Sequence, residues 1–279
     1  MFDNYSKIRS TLKTLFHIFI GVAFFIAATV LAKRLIEPLI LPFFELKEIE
    51  HHALSGIINL LIIVIAYMAF VKLYEKRQAV ELNFAGRNML YAAILGMVVI
   101  SITSISLFAS GYYEVVTHQA TNEMFLVLVA LTSQAITGEI LFRGILFRVI
   151  EEKIGTVYCL ALVPILLGLL NILVDGPNIL VLISTTLISL LWCSIYVLSR
   201  NLWVVGMSYA AWLYTVFITG ILDEHWRASA PIVSNYNGSE IITGGEFGPE
   251  NSILTVILVL ICVFYILKFA KDRGLFIKL

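Results

Sequence analysis

Glu139 and Arg143 stand four residues apart in the segment Gly138-Glu139-Ile140-Leu141-Phe142-Arg143-Gly144, in the middle of an otherwise apolar stretch. On a helix this spacing puts both side chains on one face. Such a pair has two chemical uses. The carboxylate alone can take a proton from water, or the two can form an ion pair that orders the helices around them. In hydrocarbon a charge costs roughly 2.5–3.5 kcal/mol on insertion scales, so the pair must be enclosed by protein or face a polar cavity. The residue before it is Gly138, which offers no second carboxylate.

The chain around this segment reads as a membrane protein. Of its 279 residues, 60% are hydrophobic and 14% charged, and the mean hydropathy is +0.94, outside the usual range of soluble domains. Runs near the 20 residues needed to cross a hydrocarbon core lie at about 14–32, 55–73, 88–109, 122–147, 156–174, 179–198, 202–221 and 253–270. The expected fold class is therefore all-α: a polytopic membrane protein with about eight transmembrane helices in one bundle. No linker or internal repeat divides it, so residues 1–279 read as a single membrane domain. The first apolar run is too long for a cleavable signal and lacks a small-residue cleavage site, so it is expected to stay as a helix. Without paired, Gly- or Pro-broken spans in repeated halves, a transporter is not indicated.

Basic residues orient the spans. Putting both termini on the cytoplasmic side leaves only Lys33, Arg34, Lys47 and Arg227 outside, with Arg143 in the membrane, as the positive-inside rule favours. The loop 222–252 then falls outside and carries Asp223, Glu224, Glu240, Glu246 and Glu250 against Arg227. The expected location is the cell membrane, crossed many times. The segment 33–53 fits less well and is expected to lie along the interface as a separate half-helix. Tyr74 to Arg87 mixes basic and apolar residues like a short amphipathic segment resting on the cytoplasmic surface.

Other chemistry finds little support. Net charge is zero and no basic patch is interleaved with aromatics, so no nucleic acid is expected. Cys159, Cys193 and Cys262 sit in apolar runs as buried free thiols, and His17, His51, His52, His118 and His225 form no metal-ligand spacing. No metal and no cofactor is expected, and His17 is expected to hydrogen-bond between helices. Glu151-Glu152 is the only adjacent glutamate pair, but Thr156 stands four residues on, and the pair reads as a solvated helix end. Polar residues gather in the second half: Thr132, Ser133, Gln134, Thr137, Glu139 and Arg143 in the fourth span, Asn171 in the fifth, Ser208, Tyr209 and Tyr214 in the seventh. Polar side chains in spans turn inward, so these helices are expected to enclose a polar cavity.

Four strings make the pattern specific: Gly138 to Gly144, Leu166-Leu-Gly-Leu-Leu-Asn171, Asn201 through Tyr209 to Leu213, and Ile242-Thr-Gly-Gly-Glu-Phe-Gly-Pro-Glu250. In order and spacing they resemble the CPBP family, the CAAX-type intramembrane glutamic endopeptidases and bacteriocin self-immunity proteins, over about 122–252. The resemblance implies motifs EExxxR, FxxxH and HxxxN. The second glutamate falls on Glu139 and the arginine on Arg143, both retained as catalytic-site positions. The first glutamate, which the family uses to activate water, falls on Gly138. The Phe and His of the second motif fall on Leu167 and Asn171, and the His and Asn of the third on Tyr209 and Leu213.

Hydrolysis of a peptide needs a base, a proton donor for the amine and donors for the oxyanion. Glycine supplies no base, and neither Asn171 nor Tyr209 takes up protons near neutral pH as histidine does. The expectation is a pseudoprotease: a non-catalytic member whose cavity, lined by Gly138, Asn171, Tyr209 and Leu213, binds a membrane protein, a lipidated peptide or a hydrophobic peptide amid membrane lipids. Its alternative is an active intramembrane endopeptidase using Glu139 in a rearranged site.

Overall fold

The computed structural model describes residues 2–118, 122–176, 178–220, 226 and 229–278, with the side chains of 2–8, 174 and 175 outside the description. Asp223, Glu224, His225 and Arg227 lie outside the described residues. Helix α1 spans Phe2–Leu31 and α2 Glu48–Ala69. They are followed by α3 at Gly86–Ala109, strand β1 at Tyr113–His118, α4 at Met124–Glu139 and α5 at Arg148–Asp175. The chain ends with α6 at Ile179–Ser199, α7 at Leu202–Ile218, strand β2 at Ile232–Tyr236 and α8 at Ile253–Asp272. Among the described residues, six helical runs are long and apolar enough to cross a membrane.

The longest of these, Met124–Leu173, holds 50 residues and is broken at Gly155, whose φ of 78° no helix accommodates. The half after the break is about 27 Å long at 1.5 Å per residue, close to one hydrocarbon thickness. Adding the 17-residue α7 gives about eight passes. The protein is a polytopic, mainly helical membrane protein. Exposed Leu12, Leu15, Phe16 and Phe19 on α1 and Leu61 and Ile65 on α2 suit lipid contact, where apolar surface carries no penalty.

Helix α7 forms the centre. It packs on α3 and α4, while α6 packs on α5 and α8. Local chemistry sets these ends: Asn178 accepts from Leu180 N at 2.8 Å to start α6, Asn201 accepts from Val204 N at 3.1 Å to start α7, and Ser252 accepts from Leu254 N at 3.1 Å to start α8, each satisfying an orphan amide. Close crossings need glycine. A Cβ on Gly96 of α3 would stand 2.1 Å from the Ser208 carbonyl oxygen on α7, and one on Gly206 would stand 2.6 Å from Ile136 Cγ1 on α4.

Several sequence expectations are corrected. The segment after α1 is no separate half-helix: the helix continues through a wide π turn at Ala32–Ile36, a further turn at Glu37–Ile40 and a 3-10 turn at Leu41–Phe43. The outer segments are not all loop, because β1 and β2 pair antiparallel with Tyr113 opposite Tyr236 and an irregularity between Val115 and Thr117.

Glu151 is not solvated. It is 1% exposed, receives the Arg200 guanidinium, with Nη2 to Oε1 at 2.9 Å, and accepts from the Thr156 hydroxyl at 2.5 Å. Glu152 does remain half exposed, paired with Arg148 at 3.0 Å. Nor is the segment after α2 merely laid on a surface, since Trp203 Nε1 donates to Leu82 O at 2.7 Å and Asn201 Nδ2 to Asn83 O at 2.6 Å.

That segment closes an ionic cluster at the end of the bundle. Glu75 meets His17 Nε2 at 2.6 Å, Arg77 Nε at 2.7 Å and Arg148, so His17 bonds between helices as expected. Glu81 accepts from Arg77 Nη2 at 2.7 Å and Nη1 at 2.9 Å, and from the Tyr67 hydroxyl. Burial pushes the Glu81 carboxyl up, but the bonds from Arg77 and Tyr67 outweigh it and hold it below the usual glutamate range.

Candidate functional site

The fourth span changes its winding at the site. After Glu139 the α-helix opens into a π turn over Ile140–Phe147, a rare feature that often marks functional positions. A wide turn disturbs the regular bonding of backbone carbonyls, and here side chains supply donors. The Gly144 oxygen accepts from Tyr67 OH at 3.1 Å and Arg148 Nε at 2.9 Å, and the Phe147 oxygen accepts from Cys159 Sγ at 3.3 Å.

Arg143 lies within this turn. Glu139 is 1% and Arg143 3% exposed, and Arg143 Nη1 donates to Glu139 Oε1 at 3.2 Å. The second amino group, Nη2, donates to both the Ser189 carbonyl and its hydroxyl oxygen at 3.0 Å. The arginine thereby ties α4 to α6. The pair is single-pronged: among the described residues Glu139 Oε2 has no hydrogen-bond partner.

Gly138, Glu139, Arg143, Asn171, Tyr209 and Leu213 all border one cavity of about 340 Å³ between α4, α5, α6 and α7. Its size is at the lower end of small-ligand pockets. Each motif position therefore reaches the same space, Leu167 included, and so does Gln134, whereas Thr132, Ser133, Thr137, Ser208 and Tyr214, expected to help enclose it, are not among its lining residues. Position 138 is open, because a Cβ there would meet no atom within 4 Å. Asn171 Nδ2 is turned to Thr185 Oγ1 at 3.2 Å. The thiols of Cys159 and Cys193 are buried and that of Cys262 half-buried.

The cavity also holds residues that sequence patterns did not single out. Trp192 and Tyr209 rings stand 5.5 Å apart, and Trp192 and Trp212 meet edge to face at 5.4 Å. Glu250 borders the same space and accepts from Trp212 Nε1 at 3.1 Å. It comes from the outer loop, where it is read in the sequence as the last residue of the fourth family-like string and as one of several outer acids, with no place assigned in the cavity.

The loop is clamped from three sides. Gly244 and Gly248 adopt φ of 83° and 80°. Asn251 bonds Phe247 O at 2.9 Å and meets the Ser184 hydroxyl of α6, and Thr255 of α8 donates to Pro249 O at 2.6 Å. Among the described residues, two carboxylates, one arginine and an aromatic wall thus share the cavity. No side chain occupies the position that would hold a base beside Glu139.

Fold and site together define a polytopic helical membrane protein with a mainly apolar cavity at the junction of four spans, into which a few polar and charged side chains project. Residues 120–215 match the family model described as type II CAAX prenyl endopeptidase Rce1-like, which supports the CAAX-protease family for this chain. The matched stretch contains every motif position from Gly138 to Leu213 but ends before Glu250. No curated protein matches the chain.

Proposed function

We infer that the protein is a non-hydrolytic relative of the CAAX-type intramembrane proteases, which uses the site to bind part of a membrane protein or of a lipidated or hydrophobic peptide. It acts in the cell membrane with both termini cytoplasmic and the 222–252 loop outside. The observation that carries this reading is the open, side-chain-free position at Gly138 beside a Glu139 already bonded to Arg143.

Hydrolysis there would need a base, a proton donor and an oxyanion donor. Positioned acid–base catalysis typically contributes about 10²–10⁴-fold, and one oxyanion donor about 10²–10³-fold. With glycine, asparagine and tyrosine at the motif positions, both contributions are reduced together. The cavity itself remains large enough to receive a side chain or chain end, and its walls are mainly apolar.

One observation favours the alternative of an active endopeptidase. Glu139 Oε2 is buried without a partner among the described residues and its side chain borders the cavity, so one carboxylate oxygen is not taken up by Arg143. The two readings separate when purified protein and its Glu139→Gln variant are incubated with a library of transmembrane and prenylated peptides and the products are read by mass spectrometry. The binding reading expects no cleavage by either. Cleavage by the parent that disappears in the variant would overturn it.

A further inference from the structure

We propose that the groove between the break in α5 and the segment that follows α8 binds an anionic phospholipid of the bilayer. The inference is independent of the binding reading above, because the groove shares no lining residue with the central cavity.

Position is the first argument. The groove holds about 730 Å³ and lies between Gly155, where the longest helical run breaks, and residues 274–278 beyond α8. Both walls are ends of spans, so the groove stands at the level of lipid headgroups. Tyr158 in its wall is the kind of residue favoured at that depth.

Construction is the second. Thr156 N donates to Ile277 O at 3.1 Å, Ile277 N to Thr156 Oγ1 at 2.9 Å, and Arg200 Nη2 to Leu275 O at 2.8 Å. These bonds hold the last residues against the helix break, so the groove has fixed walls.

Charge is the third. The charged side chains that line the groove are Lys271 and Lys278, both exposed and neither paired with an acid among the described residues. The neighbouring acids are placed elsewhere: Glu151 and Glu152 are paired with Arg200 and Arg148, and Asp272 borders a separate hollow with Lys268. A basic pocket at the membrane surface attracts acidic headgroups.

Apolar continuity selects a lipid over a soluble phosphate compound. Val157 and Tyr158 of the groove are 64% and 66% exposed, and from Tyr158 the exposed Leu162, Ile165 and Leu169 run on along the same helix. Their spacing of four, three and four residues keeps them on one face. Acyl chains can follow this stripe while the phosphate sits by the lysines.

The test uses the full chain in a neutral maltoside micelle, offered equal amounts of phosphatidylglycerol and phosphatidylcholine with the same acyl chains. Native mass spectrometry counts the lipid of each kind that stays bound. A basic residue near the surface contributes about fivefold to the attraction of acidic lipid, so a preference of at least about tenfold for phosphatidylglycerol is expected.

Lys271→Gln/Lys278→Gln is expected to lose most of that preference, and Lys271→Arg/Lys278→Arg to keep it. Lys72→Gln/Arg87→Gln, which removes two exposed charges elsewhere, should leave it unchanged. Soluble glycerol phosphate, which has no acyl chains, should not displace the lipid. Because both groove lysines are exposed, the glutamine variant should melt with the parent when no acidic lipid is present. Equal retention of the two lipids, an unchanged preference in the glutamine variant, an equal loss in Lys72→Gln/Arg87→Gln, displacement by glycerol phosphate, or a glutamine variant that melts well below the parent would overturn the proposal. Peptide cleavage by the parent protein would overturn the non-hydrolytic reading alone, since the groove lies outside that site.

Discussion

Replacing Arg143 with leucine tests the structural role of the buried pair most directly. The substitution removes the 3.2 Å bond to Glu139 and both 3.0 Å bonds to Ser189. It also leaves a carboxylate that is 1% exposed without its counter-charge. Removing one member of a buried pair costs about 3–5 kcal/mol, chiefly because the other charge is stranded. At about 2–4 °C per kcal/mol for a chain of this size, the melting temperature should fall by roughly 6–20 °C.

The double variant Glu139→Leu/Arg143→Leu removes the stranded charge. It should therefore recover a good part of the loss, because replacing a whole buried pair with apolar groups is often close to neutral. Fluorescence-monitored thermal unfolding in one detergent, for parent, single and double variants, measures both effects. A single variant that melts within about 1 °C of the parent, or a double variant no more stable than the single, would refute the reasoning.

Three further outcomes follow from the packing and charges. Gly138→Ala should stabilise the protein by about 0.5–1 kcal/mol, since alanine is the better helix former and its Cβ meets nothing within 4 Å; chemical denaturation measures the gain. Gly96→Ala should do the reverse, costing about 1–3 kcal/mol through overpacking, because its Cβ would stand 2.1 Å from the Ser208 carbonyl oxygen; the same assay shows the sign.

The third outcome concerns pH. The folded Glu81 carboxyl is held below its usual value of 4.5, so it contributes stability above the unfolded value that is lost as pH falls through the folded one. Melting temperatures of the parent should therefore drop on acidification below about pH 4.5, and the drop should be shallower in Glu81→Gln.

The spans were legible because lipid imposes one rule on every exposed position, and hydropathy reads that rule locally. The break at Gly155 and the helix starts at Asn178, Asn201 and Ser252 follow from glycine and capping chemistry close by in the chain. What could not be read depends on partners far away. Glu75 meets Arg148 and Glu151 meets Arg200, so a pair of glutamates that looks solvated by sequence is half enclosed by an arginine 49 residues on.

The same distance hid Glu250. Its loop looks like translocated acidic coil until Thr255, Asn251 and Ser184 pull it against two helices. The glycines at 244 and 248 were the available signal, since their positive φ permits the tight turn that turns the carboxylate inward.

The contrast among glycines bears on what position 138 means. Gly96, Gly168 and Gly206 are needed by packing: a Cβ at each would fall 2.1–2.6 Å from an atom of a neighbouring helix. Gly138 is in no such contact, so nothing in the helix packing calls for glycine there, and a larger side chain would simply enter the cavity. What glycine sets there is therefore the chemistry of the wall, which carries no side chain at this position. Arg143 has the opposite character. Its guanidinium joins Glu139 of α4 to the backbone of α6, so it contributes to stability whether or not any bond is cut. On the non-hydrolytic reading, Gly138 bears on the chemistry of the site and not on its packing, while loss of Arg143 alone loosens the helices that enclose the cavity.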